Sequence, residues 1–157
     1  MRITRHQLFM EIAHVLAKRS TCPRLNVGAV VVVNSRIVSV GYNGAPPGEP
    51  HCTEAGCLCE DGGCRRTVHA EINALNYVPD SVRGSESSLY VTDSPCMACA
   101  RAISEHNDIL WLYYGQPYRD TAPLIYLIAM GVEVFRVVPS GYTISEATGQ
   151  VIREAKA

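Results

Sequence analysis

The stretch SLYVTDSPCMACARAISEH (88–106) reads as a strand that runs directly into a helix. Ser88–Asp93 is short and carries Leu, Tyr, Val and Thr, residues that suit a pleated, half-buried surface. Pro95 then stands in the first turn of the helix, where its fixed φ and missing N–H cost nothing. Cys96 and Cys99 are three apart, so a helix sets them on one face, where both sulfurs can grip one ion. The first turn also lies at the positive end of the helix dipole, which favours thiolate, the metal-binding form.

Working outward, TVHAEINALNY (67–77) reads as a second helix, with Thr67 as its N-cap. His69 and Glu71 are two apart, a spacing that parts them in mid-helix but lets both reach a site over the helix end. One His and two Cys give zinc three ligands and leave the fourth position open, as catalytic sites require. A water there can have its pKa lowered to about 7. Glu71 can move that water's protons as general base and general acid. His-x-Glu followed by Pro-Cys-x-x-Cys is the signature of zinc deaminases. A buried His with a structural Cys-x-x-Cys zinc leaves Glu71 and Pro95 unexplained.

The remaining elements fit one architecture. Residues 4–19 read as an amphipathic helix with Leu8, Ile12, Val15 and Leu16 on one face and a Thr4/Gln7 capping box. VGAVVVV (27–33) and RIVSVGYN (36–43) read as a hairpin turning at Asn34-Ser35. ILWLYYG (109–115) and VEVFRVV (132–138) read as strands, with PLIYLIAM (123–130) a helix between them, ended by Gly131. Residues 44–66, rich in Gly, Pro and Cys, read as an irregular loop, and the tail from Ser140 gives little periodicity. The alternation predicts an α/β fold, a three-layer α/β/α domain with a mixed five-stranded sheet over residues 1–157.

Composition narrows the partners. The 157 residues are 47% hydrophobic and 18% charged, in the range of globular chains. Net charge is −1, from 14 Lys plus Arg against 15 Asp plus Glu. That lacks the basic surplus that neutralises many phosphates, so a small nucleotide is expected rather than a polynucleotide. No run approaches the roughly 20 apolar residues of a membrane span, and the start is amphipathic rather than signal-like, so a cytoplasmic protein is expected. Seven cysteines, an odd number, read as metal ligands before disulfides in such a chain.

STCPRLNVGAVVVV (20–33), GYNGAPPGEPHC (41–52), CRRTVHAEINAL (64–75) and LYVTDSPCMACA (89–100) resemble, in order, segments of the deoxycytidylate (dCMP) deaminase family. The resemblance implies a cytidine-deaminase-like fold and hydrolysis of dCMP to dUMP and ammonia for thymidylate synthesis. It implies catalytic Zn2+ on His69, Cys96 and Cys99, with Glu71 protonating N3 and then the leaving amine. It also implies that the Ala70 N–H meets O2, that the Ser94 carbonyl meets the 4-amino group and that Asn43 bonds the sugar. Arg24 and Asn26, before the first strand, are read as 5′-phosphate contacts and Tyr118 as a substrate contact.

Two further expectations rest on the resemblance. Gly41, Tyr42, Asn43 and Gly44 resemble the site where dCTP activates and dTTP inhibits, with Mg2+ on the triphosphate. A turn leaving the strand explains the same glycines. Some family members bind a second, structural Zn2+, here expected on Cys22, Cys52, Cys59 and Cys64. Buried, unliganded thiols are the alternative for that group. A homohexamer is implied as well. Two other functions remain open at this level: a deaminase of free cytidine or tRNA adenosine, and a non-catalytic zinc-stabilised binding module.

Overall fold

The computed structural model describes residues 2–152. Its sheet grows from the valine run: β1 (Gly28–Val33) is buried at every position. Alternation divides the run, with Ala29 and Val31 facing one hydrophobic cluster and Val30 and Val32 the other. β2 (Arg36–Tyr42) pairs antiparallel with β1 across a two-residue turn. Asn34 and Ser35 both take positive φ, 49° and 62°, the geometry of the hairpin turn that matches strand twist. On its other side β1 pairs antiparallel with β5 (Ser87–Asp93). β6 (Ile109–Gln116) and β7 (Glu133–Val137) follow in parallel, and β8 (Thr143–Ser145) and β9 (Val151–Ile152) close the edge antiparallel.

The sheet is therefore mixed, as expected, but has seven strands, in the order β2-β1-β5-β6-β7-β8-β9, instead of five. The five expected strands are its contiguous first five. β8 and β9 run for three and two residues, too short to show a period, and exist through pairing onto β7.

Helices cover both faces. α1 (Arg5–Ala17) lays Phe9, Met10 and Ala13 on Val30, Val32, Tyr90 and Val137. The Thr4 hydroxyl accepts from the Gln7 N–H at 3.1 Å. The Gln7 amide turns to Glu11 instead, so the expected capping box is half made. α3 (Ala70–Asn76), α4 (Met97–Glu105) and α5 (Ala122–Ala129) bury Leu75, Ile103 and Leu127 against Leu89 and Leu112 on the other face. Each such side chain contributes about 1.5–3 kcal/mol through burial. Among the described residues, no helix is long and apolar enough to cross a membrane.

Glycine sets two of the approaches. A Cβ at Gly28 would strike the Ala13 carbonyl and the Ala17 N–H of α1, and one at Gly41 would strike the Ala70 carbonyl and Ala74 N–H of α3. The expected loop 44–66 is not structureless. It holds a single-turn helix, α2 (Cys52–Ala55), and a hairpin, β3 (Cys59–Glu60) with β4 (Gly63–Cys64).

Candidate active site

Both helices that carry the motif begin later than their sequences suggest. Thr67 is not the cap of α3; His69 is, in extended backbone geometry, with Ala70 as the first helical residue. Likewise Cys96 caps α4, and Pro95 stands just outside it. The shift has a chemical consequence. His69 and Cys96, half out of their helices, lie over the helix ends, while Glu71 and Cys99 enter from the first turns. All gather beyond the carboxyl end of β5, where α/β sheets place their ligands.

The donor geometry fits zinc. His69 Nδ1 lies 3.2 Å from Cys99 Sγ and 3.5 Å from Cys96 Sγ. Zn–N near 2.0 Å and Zn–S near 2.3 Å in a tetrahedron require about 3.5 Å between N and S. The thiols point the same way. Hydrogen bonding from Cys99, together with His69, draws Cys96 down to about 4. The bond to Cys96, with burial, pushes Cys99 up. The pair holds one negative charge by itself, and a divalent cation is what lets both sulfurs carry charge.

Glu71 is 4% exposed. Burial raises its carboxyl to about 7, against the pull of its own backbone N–H and of His69. A carboxyl titrating near neutrality can both accept and return a proton. His69 is raised by its hydrogen bond to Cys96.

His69, Glu71 and Cys96 line a cavity of about 570 Å³, with Cys99 buried behind them. Of the expected substrate contacts, Arg24, Asn43, Ala70, Ser94 and Tyr118 line it. Asn26 does not: its neighbours Leu25 and Val27 face the cavity, and Asn26 is exposed. Asn43 is buried, its Oδ1 accepting from the Val27 N–H and its Nδ2 donating to the Leu25 carbonyl, each at 2.8 Å. It thus moulds the cavity wall as well as facing inward. Ser94 Oγ accepts from the Tyr118 N–H at 2.7 Å, tying the end of β5 to the segment after β6.

Arg119 was not expected in the site. Its guanidinium lies 5.0 Å over the Tyr118 ring and donates to the Gly62 carbonyl. Arg24 donates to the same carbonyl at 2.5 Å. Two cations thus meet on one neutral oxygen at the exposed rim of the cavity. No motif marks Arg119; the only signal was its position next to Tyr118.

The second cysteine group differs from expectation by one residue. Cys22, Cys52, Cys57 and Cys64 bring their sulfurs within 4.8 Å of one another, with Cys52 and Cys64 at 3.5 Å. Cys59 stays outside, exposed on β3 opposite Cys64. Cys57 precedes the strand, in the loop after α2, and its sulfur joins the cluster, while Cys59 lies on the strand with its side chain exposed. Burial opposes charge on Cys64, yet hydrogen bonds from the Arg66 N–H and from Cys52 bring it down to about 7.

The GYNG stretch is mostly spent on packing. Gly41, Asn43 and Gly44 are buried, Gly44 in a bridge with Val68, and Tyr42 is the partly exposed member.

Residues 3–115 match the family model of the cytidine and deoxycytidylate deaminase zinc-binding region. The chain belongs to this deaminase family. This deaminase-family chain is 44% identical over 119 residues to ComE operon protein 2 of Bacillus subtilis, covering 75% of this chain and 62% of that protein. To the deoxycytidylate deaminase of Schizosaccharomyces pombe it is 33% identical over 139 residues, covering 83% and 43%. It thus spans less than two thirds of the length of these relatives. The dCMP deaminase of cyanophage S-TIM5, solved in complex with dCMP and dUMP, superimposes with a TM-score of 0.72 at 33% identity. That match covers 87% of this chain and 98% of the phage chain.

Proposed function

We propose that this protein hydrolyses dCMP to dUMP and ammonia. One observation carries the reading: a buried carboxyl beside a His-Cys-Cys donor set, in a cavity whose exposed rim gathers two arginines. Zinc held by His69, Cys96 and Cys99 would supply Lewis acidity, lowering the pKa of a water. Glu71 takes a proton from that water and delivers it to N3 of cytosine. As the C4–O bond forms, Glu71 takes the remaining proton from the new C4 hydroxyl and passes it to the 4-amino group; the C4–N bond breaks and C4 becomes a carbonyl, so that one water enters and one ammonia leaves. The Ala70 N–H faces O2, the Ser94 carbonyl orients the amino group and Asn43 meets the sugar. Arg24 and Arg119 hold the 5′-phosphate, whose charge is what their shared carbonyl lacks. The similarity to a phage enzyme solved with dCMP and dUMP supports this choice of substrate over free cytidine.

Replacing Glu71 by Gln tests the chemistry. Ammonia release from dCMP falls by about 10²–10⁴-fold while zinc stays bound. Undiminished activity would sink the reading and favour a structural zinc module.

The finer readings extend from the family. A second zinc sits on Cys22, Cys52, Cys57 and Cys64, whose sulfurs lie within 4.8 Å of one another, as a closed tetrathiolate needs. dCTP with Mg2+ activates and dTTP inhibits, with Tyr42 the reachable part of the GYNG stretch, and the chain assembles as a hexamer. A thiol-rich metal site of this kind suits the reducing cytoplasm.

A further inference from the structure

The turn of the β3–β4 hairpin lies at the rim of the cavity, where Arg24 and Arg119 meet. Asp61 and Gly62 form its two-residue loop, with φ of 48° and 77°, and Glu60 pairs with Gly63 on either side. The Gly62 carbonyl holds both Arg24 and Arg119, and a Cβ on Gly62 would collide with the Arg119 guanidinium. Glu60 and Asp61 line the same cavity. Glu60 also pairs with Arg65 at 2.6 Å, which leaves Arg24 and Arg119 as the cations that meet at the turn.

The charges count out to one phosphate. Two guanidiniums balance a monophosphate dianion that takes the place of the Gly62 carbonyl. A second phosphate adds at least one more negative charge in a cavity that the Asp61 carboxylate lines. Glu60 and Arg65 neutralise each other, so Glu60 acts by keeping the Arg65 guanidinium from compensating the added charge.

Resting on the reading of the cavity as a dCMP site, we propose that Glu60 and Asp61 are specificity-determining residues for phosphate number. They admit a nucleoside monophosphate and reject the diphosphate by charge.

The test is calorimetric binding of dUMP and dUDP to the zinc-loaded protein, which needs no turnover. Wild type prefers dUMP by at least tenfold at low ionic strength. Raising the salt narrows that ratio, because exposed charges are screened. Glu60→Gln with Asp61→Asn narrows it by about tenfold, and the salt titration of wild type needs no variant to fold. A ratio unchanged by the double substitution overturns the proposal. So does a ratio insensitive to salt, equal affinity for the two nucleotides, or no binding of either. Ammonia release from dCMP is scored separately. dUMP binding without that release overturns the catalytic reading and leaves the selectivity result standing.

Discussion

At the residue scale, the decisive fact is where each side chain sits relative to a helix end. His69 and Cys96 are caps, and Glu71 and Cys99 lie in first turns, so four groups from two helices converge although no two share a helix face in mid-length. The motif made these four legible, because each is chemically specific and they stand in a fixed order. Arg119 was not legible: an arginine after a tyrosine is commonplace, and only the fold brings it onto the Gly62 carbonyl. It yields a distinct prediction. Arg119→Ala lowers kcat/KM for dCMP by about 10–100-fold, since a charged hydrogen bond contributes about 1.5–3 kcal/mol. Deamination of deoxycytidine, which has no phosphate, keeps its rate. Parallel kinetics on the two substrates check this, and an equal loss on both would mean that Arg119 merely supports the wall.

At the element scale, the long cysteine-rich segment is the part that sequence patterns describe worst. Elements of two to four residues have no periodicity to read, and what orders α2, β3 and β4 is side-chain convergence from distant positions. Cys22 precedes β1, yet joins sulfurs thirty or more residues later. The choice between Cys57 and Cys59 follows from the path of the loop that brings the Cys57 sulfur to the other three, which spacing alone does not reveal. Metal analysis separates them. Wild type carries two zinc per chain, Cys57→Ser carries one, and Cys59→Ser keeps two. The reverse pattern would restore the ligand set expected from spacing, and one zinc in wild type would remove the second site. The same segment carries Gly62, so Cys57→Ser also loosens the hairpin that the two arginines hold.

At the scale of the whole molecule, the sheet gives the site its rigidity. β5 is buried between β1 and β6, and its carboxyl end delivers Asp93 and Ser94 to the cavity without a flexible linker. Gly41 lets α3 lie close against β2, so the helix that carries Glu71 is positioned by backbone contact. Regulation belongs to this scale too. If the hexamer and its effectors are retained, sedimentation gives a mass six times that of the 17.1 kDa chain. dCTP with Mg2+ then removes the sigmoidal lag in the dCMP curve, and dTTP deepens it. A monomer with a hyperbolic curve unmoved by either nucleotide would remove this part of the reading.

The His69, Cys96 and Cys99 donor group and the Glu71 beside it were legible in the sequence itself, because candidate metal ligands and a candidate proton carrier are picked out by residue type and local spacing. So were the five longest strands and their helices, whose hydrophobic periods are long enough to read. The tertiary structure alone decided the short edge strands, the Cys57 sulfur, the exclusion of Asn26 and the arrival of Arg119. Each of these depends on contacts between residues far apart in the chain, whose energy appears only after the sheet and its helices have brought them together.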